Sequence, residues 1–174
     1  MLLNFVGYSA DCTIHGDIEA SGDRLRDYLN EVEEYVIENA VLTRLADGKQ
    51  ISVGRLVLDR DELWAAEADG PSGLPDKKLH TIAYRCRARL GPYAVLGAVH
   101  ERPGVTPLGS LRLTKPFVPF TEARLAFELQ GEVQLRDVET LLANGRLIGW
   151  LGDANGPVDE SADSPALAML LQGV

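Results

Sequence analysis

The sequence predicts a mainly β protein with two short helices, built from a duplicated β-α-β-β-β unit that forms a small barrel or sandwich with pseudo-twofold symmetry. Three observations carry this expectation. Apolar and polar residues alternate through most of the chain, the two-residue period of a half-buried strand. Helical spacing is confined to short stretches. The pattern of elements then recurs about 83 positions later, and self-similarity of that kind decides a fold before any single element does.

The first copy opens with Cys12 to Ile18, an alternating strand. In Asp23 to Val32, residues Leu25, Tyr28, Leu29 and Val32 stand at i, i+3, i+4 and i+7 and make one apolar helical stripe, with Ser21 or Asp23 as its cap. Tyr35 to Leu45 reads as a strand, Asp47-Gly48 as a tight turn, Ile51 to Leu58 as a strand and Glu62 to Ala68 as another. The second copy starts at Tyr93 to Val99. Thr106-Pro107, a cap followed by proline at the first helical position, opens a short helix with Leu108 and Leu111. Pro116 and Pro119 end it. At an offset of 83, Ala40 aligns with Ala123, Leu42 with Leu125 and Gly48 with Gly131; at 84, Leu58, Arg60 and Leu63 fall on Leu142, Asn144 and Leu147. Trp64 and Trp150 share a parity under that second offset, which reads as two core aromatics, with a protein–protein surface as the alternative.

The chain of 174 residues therefore reads as one compact domain over 1–152, made of repeats at about 7–69 and 91–152 joined by 70–90, within which Lys78 to Leu90 is a long strand. A unit of this size buries too little alone, so the halves are expected to share one apolar interior. Residues 153–164 read as a flexible acidic linker and 165–174 as a short apolar C-terminal segment.

At this point the chain resembles a family of uncharacterised, mostly actinobacterial proteins. The residues that carry the likeness are Ala10-Asp-Cys-x-Ile-x-Gly16, Asp23-Arg-Leu-x-Asp-x-Leu-Asn30, Gly91-Pro-Tyr93, His100 with Pro103-Gly104, and Pro116-Phe-Val-Pro-Phe-Thr-Glu-Ala123. That resemblance implies no activity. Asp47-Gly48-Lys49, Gly54-x-Leu56 and Asp59 are locally similar to the first signature of Sm-like barrels. Where that signature carries an RNA-contacting Asn after Met, this chain has Glu62 after Asp61, and no second signature follows.

Composition narrows the function classes. Seventeen Lys and Arg against 26 Asp and Glu give a net charge of −9, which excludes a surface built throughout for nucleic acid or anionic lipid. The apolar start, Met1 to Gly7, is too short for an export signal and no stretch reaches the ~20 apolar residues of a membrane span, so the expected place is the cytoplasm, with no membrane partner. Two cysteines, Cys12 and Cys86, read as buried free thiols.

Chemistry-bearing patterns are sparse. Asp11, His15, Asp17 and Glu19 share one face of a strand, but neighbours at i and i+2 stand ~7 Å apart, too far for one ion, and the expectation is a solvated face with no metal. Acidic pairs such as Asp59 and Asp61 need no catalytic account on so acidic a chain. There is no nucleophile elbow and no phosphate-binding glycine loop, so no catalytic residue and no cofactor is assigned.

Charge is unevenly spread. Residues 1–75 hold 6 basic and 15 acidic side chains, 76–115 hold 8 and 2, and 116–174 hold 3 and 9. In the middle segment Arg85, Arg87 and Arg89 alternate with Tyr84, Cys86, Ala88 and Leu90, an arginine row that Lys77, Lys78 and Arg102 extend. Such a row either pairs with acids of the flanking strands or offers an anion or partner-binding stripe. The sequence thus points to a non-catalytic binding or scaffold module that forms homo-oligomers. A nucleic-acid-binding Sm-like protein using the basic strand over 77–112, or an acidic protein held there, is the alternative, and a small hydrolase or metal enzyme comes third.

Overall fold

The computed structural model describes residues 2–20, 24–68, 80–106 and 115–154. Its strands are β1 (Leu2–Tyr8), β2 (Cys12–Glu19), β3 (Glu34–Arg44), β4 (Gln50–Asp59), β5 (Ala65–Glu67), β6 (Ile82–Leu90), β7 (Tyr93–Glu101), β8 (Phe117–Leu129), β9 (Glu132–Asn144) and β10 (Trp150–Asp153). One helix, α1 (Leu25–Glu31), lies between β2 and β3, and Arg60–Glu62 form a 3-10 turn before β5. The caps at Ser21 and Asp23, the second helix beyond Thr106, the acidic linker past 154 and the apolar segment at 165–174 fall outside the described residues.

The mainly β expectation holds, but the sheet does not close into a barrel. Among the described residues ten strands form one antiparallel sheet in the order β10-β6-β7-β8-β9-β5-β1-β2-β3-β4, in which β10 and β4 are the edges. The apolar start is a strand in its own right: β1 pairs with β2 over its whole length, Leu2 opposite Glu19 and Tyr8 opposite Thr13. Likewise Ile82 to Leu90 is not a joining strand but pairs with β7 along its full length, as β1 does with β2. The strand expected over Glu62 to Ala68 shortens to Ala65–Glu67 because the Asp59 carboxylate accepts the Asp61 amide at 2.9 Å and starts the turn.

Strand order and register run in parallel through the two halves. The first five strands are ordered β5-β1-β2-β3-β4 and the last five β10-β6-β7-β8-β9, and the sets meet where β9 pairs with β5. Each half carries a register shift, between His15 and Asp17 and between Leu96 and Ala98, around Gly16 and Gly97. Opposite each lies a non-glycine residue with positive φ, Asn39 at 51° and Glu122 at 47°. Corresponding positions lie 81 residues apart at Gly16 and Gly97, 83 apart at Asn39 and Glu122, and 85 apart at Leu58 and Ala143, which face Tyr35 and Val118. Each step is two residues, so inward and outward faces are preserved; a one-residue step would turn the strand over. The 84-residue alignment of the last strands is therefore off by one, and with it the matched parity of Trp64 and Trp150. Trp64 packs against the core, whereas Trp150 is 37% exposed.

The interior is not one shared core but two main clusters on opposite faces of the central strands. On β9, Leu141 and Ala143 enter one cluster and Leu142 the other; on β5, Ala65 and Ala66 divide in the same way, as do Val6 and Phe5 on β1. Val95, Val99, Phe120, Leu125 and Val138 build the first cluster, while Ile14, Ile18, Ile37 and Ala40 build the second with Leu25 and Leu29 of α1. Each half thus curls over its own side of a middle that both share. Tyr8, Tyr93 and Phe127 pack with centroids 5.4–5.9 Å apart where the halves meet. The Tyr93 hydroxyl donates to the Ser9 carbonyl at 2.6 Å.

Candidate functional site

The arginine row lies on β6, between β10 and β7. Cys86, Ala88 and Leu90 enter the first core cluster, so the strand's alternation turns Arg85, Arg87 and Arg89 to the outer face. Opposite them on β7 stand Ala98, Leu96 and Ala94, and on β10 Gly152 and Trp150 face Arg87 and Arg89. Among the described residues no acid lies directly across from the three arginines, and Asp153 of β10 lies opposite Cys86 between Arg85 and Arg87. The ion pairs among the described residues are Arg44–Asp47, Arg55–Glu38, Arg124–Asp137 and Arg136–Glu67, and none includes a β6 arginine. Arg85 and Arg89 are exposed, and the Arg89 Nε donates to the Gly91 carbonyl at 3.3 Å. Arg87 is only 8% exposed, and its Nε is buried without a hydrogen-bond partner among the described residues. Arg102 is exposed just past the end of β7, and Lys77 and Lys78 fall outside the described residues.

A second polar cluster sits at the junction of the halves. Glu67 on β5 accepts the Tyr8 hydroxyl and is gripped by Arg136 of β9, whose Nε lies 2.5 Å from Oε1 and whose Nη2 donates to Oε2 at 3.1 Å. Burial first, and then the neighbouring Glu67 carboxylate, push the Tyr8 phenol far above its ordinary range. His15, opposite Val6 on β2, is held below the usual imidazole range by partial desolvation and then by Arg136. Sequence reasoning missed this cluster: its members lie on four strands that only the sheet order brings together. Its charges pair with one another and clamp β9, β5 and β1 in register.

The remaining candidates have structural roles. Asp17 accepts from the Asn39 side-chain amide at 3.1 Å, and the extra residue of the register shift lies on β3, so His15, Asp17 and Glu19 keep one face of β2. His100 Nε2 lies 2.9 Å from Thr121 Oγ1. Among the described residues no group of His, Cys, Asp and Glu gathers as a metal would require. A depression of about 330 Å³ is lined by Glu122, Ala123, Asp137, Val138 and Glu139 and is open to solvent. Cys12 and Cys86 are free, buried in different clusters, and burial raises both thiols.

The sheet edges also expose apolar side chains. β4 is ten residues long, contains neither Lys nor Pro, and exposes Ile51 by 50% and Val57 by 59%. On the opposite edge, β10 exposes Trp150. Natural edges are usually blunted by lysine, proline or shortness, and β4 has none of these. No helix among the described residues is long and apolar enough to cross a membrane. Comparison with known protein families, curated proteins and solved structures finds no match to the chain.

Proposed function

We propose that this chain is a non-catalytic binding or scaffold module, derived from a duplicated unit, that self-associates through the edges of its sheet. The observation that carries the reading is the exposed apolar surface at both edges, Ile51 and Val57 on β4 and Trp150 on β10. The duplication is supported by the common strand order and by steps of two residues between corresponding positions. The two free thiols, parted into separate clusters, suit a reducing cytosol. Molar mass measured by light scattering across a concentration series tests the proposal. Whole multiples of 18.9 kDa are expected, and a monomer at every concentration refutes it.

A second reading rests on the β6 arginines, none of which enters the ion pairs seen among the described residues. It makes them a stripe for an anionic partner, single-stranded nucleic acid first. Affinity for a fluorescent oligonucleotide is then expected to fall steeply between about 50 and 200 mM salt and to vanish in an Arg85→Glu/Arg89→Glu variant. Binding that ignores both salt and substitution rules it out.

A further inference from the structure

Building on the self-association proposed above, we infer that the partner is a second copy of this chain joined head to tail, β4 of one copy pairing antiparallel with β10 of the next. The junction between the halves is the template. There β9 pairs with β5, with Ala143 opposite Ala65 and Leu142 opposite Ala66, and the Asn144 amide donates to the Trp64 carbonyl at 2.8 Å.

The free edges occupy the same two places in their own halves. Val57 lies opposite Val36 in the first half as Leu142 lies opposite Pro119 in the second. Leu151 lies opposite Ala88 as Ala66 lies opposite Gly7. Carrying the internal register across therefore sets Val57 against Leu151 and Leu58 against Trp150 of the next copy. Backbone direction agrees. Amides along an antiparallel strand point alternately to its two sides. The Arg60 amide bonds Glu33 on the β3 side at 2.8 Å, so the Val57 amide points away from β3. The Ala154 amide bonds Arg85 on the β6 side at 3.1 Å, so the Leu151 amide points away from β6. Side chains agree as well, since the exposed Val57 and Trp150 hold the positions that Leu142 and Ala65 fill, fully covered, at the internal junction.

Such a contact uses two different surfaces and is heterologous. It builds a ring where the rotation closes and an open chain where it does not, and it differs from a twofold dimer made of two β4 edges.

Proline removes the outward amide at either edge without touching the inner ladder, so Val57→Pro and Leu151→Pro block one edge each. Each variant alone is expected to be monomeric. An equimolar mixture is expected to form one species of twice the 18.9 kDa chain mass and go no further, because each variant keeps the edge that the other lacks. Val57→Lys and Trp150→Lys repeat the test with side chains, and far-ultraviolet circular dichroism of each variant verifies its fold. A mixture that stays monomeric overturns the head-to-tail contact, as does a Leu151→Pro variant that still dimerises through β4. Wild-type oligomers unchanged by all four substitutions also overturn it and leave self-association standing. A monomeric wild type refutes both.

Discussion

Replacing Asn144 by alanine removes a buried polar tie between the halves. The side chain is 0% exposed at the end of β9. Its Nδ2 donates to the carbonyls of Arg60 at 3.1 Å and Leu63 at 3.0 Å, and its Oδ1 accepts the Arg146 amide at 3.1 Å. Two of these bonds hold the 3-10 turn of the first half against the last long strand of the second. Each is worth about 0.5–1.5 kcal/mol net, and a buried acceptor left without a donor adds desolvation cost. The Arg60 carbonyl keeps the Leu63 amide at 3.2 Å, which offsets part of the loss. The expected destabilisation is about 2–3 kcal/mol. At roughly 2–4 °C per kcal/mol for a chain of this size, the thermal midpoint should fall by about 5–10 °C. Differential scanning calorimetry of the two proteins at one concentration reads this directly. A drop under about 2 °C would refute the view that the turn and β9 depend on one another through this side chain.

Three further predictions follow from the packing and the titratable groups. A Cβ on Gly16 would sit 2.6 Å from Ile37 Cγ2 and 2.7 Å from the Glu38 carbonyl, whereas one on Gly97 would meet Phe120 Cβ at 3.1 Å. Gly16→Ala should therefore cost about 2–3 kcal/mol and Gly97→Ala about 1 in urea unfolding, and equal costs would contradict the asymmetry. Arg87→Met removes a buried cation whose Nε has no partner among the described residues, so the unfolding free energy from urea titration should hold or rise by up to about 1–2 kcal/mol; a clear loss would mean the guanidinium supports the fold. Burial raises the Tyr35 phenol from 10.0 to about 12 and pushes Tyr8 and Tyr93 further in the same direction. The unfolded chain then loses its protons first, so the stability these phenols contribute is whole below pH 10 and drains away as pH rises toward 12 and beyond. Tyrosinate absorbance should appear together with unfolding, and gradual ionisation of a still-folded protein would contradict it.

Most of the local structure was legible because half-buried strands write their faces into the sequence. Cys86, Ala88 and Leu90 turn inward and the arginines between them outward, as the alternation requires, and Leu25 and Leu29 of the helical stripe are buried. The Asp47-Gly48 turn is likewise local: Gly48 has a φ of 68°, and the Asp47 carboxylate accepts the Lys49 amide at 3.1 Å. The candidate arginine row was visible for the same reason.

The strand that escaped, Leu2 to Tyr8, is buried on both faces. Its neighbouring Phe5 and Val6 are both apolar because each faces a different cluster, and the apolar runs Ala65-Ala66 and Leu141-Leu142-Ala143 divide between the clusters in the same way. A strand with two buried faces loses the two-residue period that announces it.

By itself, then, the amino-acid order determined the strand faces, the helical stripe and the tight turn, all of which depend on neighbours within a few positions. Only the tertiary structure decided that β9 pairs with β5, that the interior divides in two, that Glu67 meets Tyr8 and Arg136, and that β4 and β10 are left as edges. Those outcomes join residues tens of positions apart, and no short-range period records which strand lies beside which.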